Sequence, residues 1–294
     1  MRLNKTLQAL QPKEASVKQQ ERSDRKVKIE VDSVSFAYSG QTILDQISLQ
    51  VREGEFTVLM GPSGCGKSTL LRLISGLASP QQGTIEIKDS KQQNGQEAIH
   101  GMVFQDYSLF PWLSAGENVV LALRQIMKGS KKELRHLAEQ YLRLVNLEHA
   151  YNKYPGQLSG GMKQRVAIAR ALALSADLLL FDEPFGALDP VTRLQLQDLI
   201  VQLWQDQRKT ALFVTHDVEE ALFLADRIIL FTPGPGSVIS QVVEVPFPRP
   251  RNRKKLTESQ AFSQLREQLL NHMNRALLDR LESPHVMGLS GSGI

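Results

Sequence analysis

The chain has 294 residues, which allows one or two domains. At 41% hydrophobic and 22% charged it is neither disordered throughout nor collagen-like, and a net charge of +4 is too small to argue for nucleic acid on its own. The single cysteine, Cys65, excludes an internal disulfide and fits a reducing compartment, and no run of about 18 apolar residues exists to span a bilayer, the nearest, Ala167 to Phe181, being broken by Arg170 and Asp177.

Residues 1–26 are polar, Gln/Lys-rich and aperiodic, and read as a disordered extension without the apolar core of a signal peptide. Order begins at Val27. Val27, Ile29 and Val31, then Val34, Phe36 and Tyr38, alternate with polar neighbours, and Ile43 to Val51 suggests a second strand. Phe56 to Met60 is short and nearly all apolar, as expected for a strand buried on both faces. A glycine-rich turn, a helix from Lys67 to Gly76 and an alternating strand from Gly83 to Lys88 follow. Val119 to Met127 and Glu133 to Val145 repeat apolar residues at three- and four-residue steps, which predicts a helical insertion over about 107–160. Beyond it come a helix near Gly161 to Leu174, a strand at Asp177 to Phe181, a helix at Pro190 to Gln207, a strand at Thr210 to Thr215, a helix at Val218 to Ala225 and a strand at Arg227 to Phe231. This alternation implies an α/β fold with a mainly parallel, covered sheet.

Gly61-Pro62-Ser63-Gly64-Cys65-Gly66-Lys67-Ser68 fits the phosphate-loop pattern, with Thr69 next in the helix. Its glycines let backbone N–H groups converge, and the following helix aims its positive end at the same point. Lys67 then reaches the β- and γ-phosphates and Ser68 offers a hydroxyl to Mg²⁺. Cys65, beside Lys67 and that helix start, is expected to favour its thiolate and to be shielded by nucleotide. Leu178 to Glu183 is a buried strand ending in two carboxylates: Asp182 suits Mg²⁺ and Glu183 suits polarising the attacking water. Ser159-Gly160-Gly161, inside LSGGMKQR, makes a second helix start ready for an anion.

With that string the chain resembles the ATP-binding cassette (ABC) ATPases over about residues 27–248. The resemblance implies a P-loop ATPase with a RecA-like core, an N-terminal antiparallel β-subdomain and an inserted α-helical subdomain. It implies roles for Gln105 (in MVFQD) toward Mg²⁺ and the attacking water, for Asp189 in the loop crossing to a partner, for His216 (in FVTHD) on the γ-phosphate, and for Tyr38 stacking on adenine. Mg²⁺ would then sit on Ser68, Gln105 and Asp182. Gly186 stands where many members carry serine. FQDYSLFPWLSAGENV, LLLFDEPFGALDPVTR and PFPRPR resemble the importer ATPases of the taurine, nitrate and aliphatic-sulfonate group.

Such a protein implies ATP and Mg²⁺, a head-to-tail homodimer or paralogous ATPase subunit, and a place on the cytoplasmic face of the membrane. It implies a separate permease docking near Tyr107 to Asn118, where Phe110, Pro111 and Trp112 are apolar, a periplasmic or lipid-anchored solute-binding protein, and no nucleic acid. The cargo expected is a small anion such as nitrate, a sulfonate, taurine or bicarbonate. An export ATPase and a soluble non-transport ABC ATPase are the alternatives; against the latter, Lys67 and Ser159 are 92 residues apart, too close for an inserted coiled coil.

The remainder, 249–294, reads as a basic linker and an amphipathic helix. Arg249, Arg251, Arg253, Lys254 and Lys255 put five bases in seven residues, read as a solvated run. Phe262, Leu265, Leu269, Met273, Leu277 and Leu281 form a helical stripe. His100, His136, His149, His272 and His285 show no metal-ligand spacing.

Overall fold

The computed structural model describes residues 25–88 and 100–282. The expected N-terminal extension lies, save Arg25 and Lys26, outside the described residues, as do 283–294 and the side chains of Leu277 and Leu281. Two sheets organise the chain. Strands β1 (Val27–Tyr38), β2 (Gln41–Arg52) and β4 (Gln82–Ile87) form an antiparallel sheet in the order β2-β1-β4. The second sheet has the order β5-β6-β7-β3-β8-β9, made of β3 (Phe56–Met60), β5 (Gly101–Val103), β6 (Leu178–Asp182), β7 (Thr210–Thr215), β8 (Arg227–Phe231) and β9 (Ile239–Glu244). All its neighbours run parallel except β8 and β9.

Side chains alternate across this sheet, so each strand feeds two cores. Leu59, Leu180, Val214 and Ile229 face α1 (Lys67–Ile74) and the antiparallel sheet. Val58, Phe181, Phe213 and Ile228 face the other way, into a core shared with the remaining helices. That two-sided burial explains why β3, β6, β7 and β8 read as nearly continuous apolar runs.

The helical insertion holds α2 (Ala115–Ile126) and α3 (Lys131–Leu144). Both start earlier than apolar spacing suggests, because each opens with a capping box: Ser114 with Glu117, and Ser130 with Glu133. In each, the serine hydroxyl accepts from the third helical N–H and the glutamate accepts from the serine N–H. Then follow α4 (Gly160–Ala173), α5 (Pro190–Gln207) and α6 (Val218–Leu224).

After β9 the chain passes through α7 (Arg253–Thr257) into α8 (Gln260–Glu282). Phe262, Leu265 and Leu269 of the stripe are buried in the chain's own core. Three arginines of the basic run are held on the body rather than left in water. Arg249 bonds Asp226 at 3.0 Å and lies over Trp204. Arg251 donates to the carbonyls of Leu222 and Phe223, at the end of α6 where partial negative charge gathers. Arg253 bonds Asp198 and stacks 3.4 Å over Phe223.

Candidate active site

The parallel strands deliver the candidate residues to one end of the sheet. β3 runs straight into the 61–66 loop; β7, beside it in the sheet, leads to His216, and β6, beside β7, ends in Asp182-Glu183. Gly66 must be glycine on two counts: its φ is +95°, and a Cβ would lie 2.6 Å from Leu44 Cδ2. Lys67 is only 4% exposed; its Nζ donates to the carbonyls of Gly61 (2.8 Å) and Pro62 (2.9 Å) and lies 3.6 Å from Cys65 Sγ. The loop therefore holds its own lysine where a phosphate would compete for it.

Cys65 departs from the sequence expectation. It is fully buried, and burial pushes its thiol up, outweighing the pull of Lys67 toward a thiolate. It packs inside the loop; its Sγ lies 3.1 Å from where a Cβ on Gly61 would stand.

Ser68 Oγ donates to Asp182 Oδ1 at 2.7 Å. Burial raises the Asp182 carboxyl, and that hydrogen bond works against the rise. A hydroxyl and a buried carboxylate in contact are the hard oxygen donors that Mg²⁺ takes, so the pair fits the ion. Gln105 follows β5, whose Val103 is paired with Phe181, and so stands at the same sheet end, exposed. Glu183 occupies the left-handed region at φ +45°, its N–H bonded to the Val214 carbonyl. A non-glycine residue there is a local strain of about 1–3 kcal/mol. His216 Nδ1 lies 3.4 Å from Glu183 Oε2. Tyr38, 49% exposed, closes β1 with its ring edge-on to Phe36, and the adjoining Ile43 and Leu44 touch the loop at Gly66.

Ser159, Gly160, Gly161 and Asp189 belong to a second surface. Ser159 caps α4 by accepting from Met162 N–H, and both Ser159 and Gly160 are exposed. Asp189 caps α5, and the hydrogen bonds from Thr192 hold its carboxyl below the usual carboxylate range. Among the described residues no hydrogen bond joins Ser159, Gly160 or Asp189 to the 61–69 loop.

Two residues that apolar periodicity passes over fasten the segment between Gln105 and α2. Arg170, on α4, donates to the carbonyls of Ser108 (2.6 Å) and Tyr107 (3.3 Å), two consecutive non-glycine residues at positive φ. Fully buried Asn118 accepts from Phe110 N–H and donates to the carbonyls of Leu113 and Ser114. Tyr107 Oη stands 3.1 Å from the position of a Gly160 Cβ, so this segment and the start of α4 are in contact. Trp112, 70% exposed, stands out from it beside Phe110.

Fold and site together define a P-loop ATPase cassette with an inserted helical arm. Residues 44–186 match the family model described as ABC transporter. The nitrate import ATP-binding protein NrtD of Synechococcus elongatus is 45% identical over 234 residues, 79% of this chain and 85% of NrtD. The bicarbonate transport ATP-binding protein CmpD of Synechocystis sp. is 45% identical over 79% of this chain and 82% of its own. CmpC of the same organism is 45% identical as well, but the match spans only 38% of its length. Among solved structures, the dimeric, post-hydrolysis ATP-binding cassette MJ0796 bound to ADP and Pi superimposes with a TM-score of 0.67 at 35% identity, covering 74% of this chain and 98% of that one. The chain belongs to the ABC transporter family and carries the family's ATP-binding domain.

Proposed function

We propose that the chain is the ATP-hydrolysing subunit of an ABC importer for a small anion of the nitrate or bicarbonate kind. The likeness to nitrate and bicarbonate import ATPases supports the importer reading, and the observation that carries its two-subunit mechanism is the division of the site. One surface gathers Lys67, Ser68, Asp182, Glu183 and His216, while the LSGG helix start is held facing outward and, among the described residues, makes no hydrogen bond to that surface. A γ-phosphate can engage both only when a second subunit brings its Ser159 surface to this Lys67 loop.

In this reading Lys67 leaves the Gly61 and Pro62 carbonyls for the β- and γ-phosphates, and the N–H groups from Ser63 to Thr69 cradle the remaining charge. Tyr38 takes the adenine. Glu183 accepts hydrogen from the attacking water and His216, beside it, donates to the γ-phosphate. Ser68, Gln105 and Asp182 would hold Mg²⁺, which supplies neutralisation of the phosphate charge. Ser159, Gly160 and Gly161 of the second subunit close over the γ-phosphate, with Asp189 crossing between the two. Loss of the γ-phosphate removes the shared ligand and lets the subunits part.

Among the described residues no helix is long and apolar enough to cross a membrane, so translocation falls to a separate permease. Its seat is the segment Tyr107 to Asn118, pinned by Arg170 and Asn118 and offering Trp112 outward. A partner permease and a solute-binding protein place the chain peripherally on the cytoplasmic face. The test is reconstitution of the chain with its membrane partner in vesicles. Nitrate- or bicarbonate-dependent ATPase with net uptake is expected; anion-independent ATPase or outward transport would overturn the reading in favour of an exporter.

A further inference from the structure

Glu220 is a buried acid that the site above does not use. It sits in the first turn of α6, four residues after His216, and is 7% exposed. Its Oε1 accepts from Gln197 Nε2 at 2.7 Å. Gln197 is itself buried, on α5, the helix that Asp189 caps two turns earlier. A second tie runs alongside. Arg193, also on α5, donates to the Leu188 carbonyl next to Asp189 and lies 4.0 Å from Asp217, next to His216. Both ties therefore join the helix that begins at Asp189 to the helix that follows His216. A cavity of about 360 Å³, lined by Arg193, Gln197, Glu220 and Phe262 among others, opens beside them. With open space there, directional hydrogen bonds rather than close packing set the spacing of the two helices.

We propose that Glu220, through Gln197, is a positioning residue that couples the Asp189 loop to His216, so that docking of a second subunit on that loop is felt at the γ-phosphate end of the same chain. This rests on the two-subunit reading above. The bond is strongest with a charged acceptor. Burial pushes the Glu220 carboxyl up to about 7, with Asp217 adding to the rise and Thr215, Gln197 and Arg193 opposing it. Glu219 and Arg253 also line the cavity, with Glu219 paired to Arg266. Thus the carboxylate that Gln197 and Thr215 favour forms as pH rises through about 7 and is lost below it.

The test compares wild type, Glu220→Gln, Gln197→Leu and the double variant in the full chain. Glutamine keeps the size and fills the same place, so the fold is retained. ATP affinity of the isolated subunit should be unchanged in all four. In the dimer kcat should fall on the order of tenfold in each single variant with KM for ATP little altered, and the double variant should be no slower than the slower single. The ratio of wild-type to Glu220→Gln kcat should rise between pH 6 and pH 8; ionisation of ATP, common to both reactions, cancels in that ratio. Unchanged kcat, losses that multiply in the double variant, or a pH-independent ratio would each overturn the coupling. Light scattering of a Glu183→Gln background with ATP separates this from failure of the underlying reading: without an ATP-dependent dimer the two-subunit site is wrong, whereas a normal dimer with silent Glu220 variants rejects the coupling alone.

Discussion

Two glycine-rich helix starts in this chain do opposite things with the same physics. The start of α1 lies under a closed loop whose lysine is bonded to its own carbonyls and whose neighbours Ser68 and Asp182 touch. The start of α4 is capped by Ser159 and otherwise left facing outward, its position fixed from behind by Arg170, Tyr107 and the Gln105–Asn118 segment. Both present unsatisfied N–H groups and a partial positive charge. What differs is the company: one is surrounded by its own chain's catalytic candidates, the other is backed by the segment that runs from Tyr107 to Asn118. In the two-subunit reading the α4 start, held from behind and facing outward, is the surface a second subunit completes.

The sharpest way to break this contrast is Glu183→Gln. The inner surface keeps its shape and loses the charge that polarises water, so ATP binding should persist while hydrolysis falls by about 10²-fold or more. If the outer surface is completed by a second subunit, the variant should also accumulate as an ATP-dependent dimer in light scattering. Hydrolysis near the wild-type rate would remove Glu183 from the inner surface.

Next in size is truncation before α8. The inner surface leans on α6, which follows His216 and is covered by the C-terminal segment through Arg251, Arg253 and the Arg266–Glu219 pair. Removing Phe262, Leu265 and Leu269 takes three buried apolar side chains from the core, each worth about 1.5–3 kcal/mol. Thermal unfolding of the truncated chain should move down by several degrees or more, with nucleotide restoring part of the loss. A truncation as stable as the full chain would show that the inner surface stands without this support.

Arg170→Met addresses the outer surface. The substitution removes the guanidinium from two carbonyls at positive φ, hydrogen bonds of a charged donor worth about 1.5–3 kcal/mol each. ATP affinity of the isolated subunit, measured by titration calorimetry, should stay as it is. Dimerisation in the Glu183→Gln background should weaken on the order of tenfold, since the start of α4 loses its rear contact. Lost ATP binding in a folded variant would mean that the two surfaces are not separable.

How much of this was legible beforehand follows the same division. The inner strands announce themselves, because burial on both faces leaves β3, β6, β7 and β8 mostly apolar, with only Thr57 inside a run and Asp182, Thr210, Thr215 and Arg227 at strand ends. The Lys67 loop, Asp182 and His216 then fall at strand ends by counting. The outer surface is harder to read. Arg170 appears in the sequence only as an interruption of an apolar run, and Asn118 as one more polar helical residue; their work is on backbone carbonyls, which leave no trace in side-chain periodicity. The α2 and α3 starts were readable in principle from Ser-x-x-Glu, although apolar spacing alone places them late. β9 was not visible at all: its exposure alternates regularly, but its residue types do not follow, with Gln241 half-buried and Val242 exposed. The bases of 249–253 mislead for a related reason: charge predicts water, yet Arg251 and Arg253 find carbonyls and a ring instead.

The smallest effect expected is also the one where sequence chemistry and structure part most clearly. Cys65 stands within the phosphate loop, between a lysine and a helix start, and by composition it should be a reactive thiol. It is instead fully enclosed, and burial dominates the neighbouring positive charge in setting its ionisation. Alkylation is a reaction of the thiolate, so both the raised thiol and the lack of access slow it. Adding ATP should therefore change the labelling rate little, since there is little reactivity left to protect. Mass-spectrometric labelling with and without nucleotide, against the same chain unfolded in denaturant as the fast reference, measures this directly. Rapid labelling of the folded apo chain that ATP suppresses would show that the loop opens in solution, and the picture of an inner surface closed on its own lysine would give way to one that closes only around phosphate.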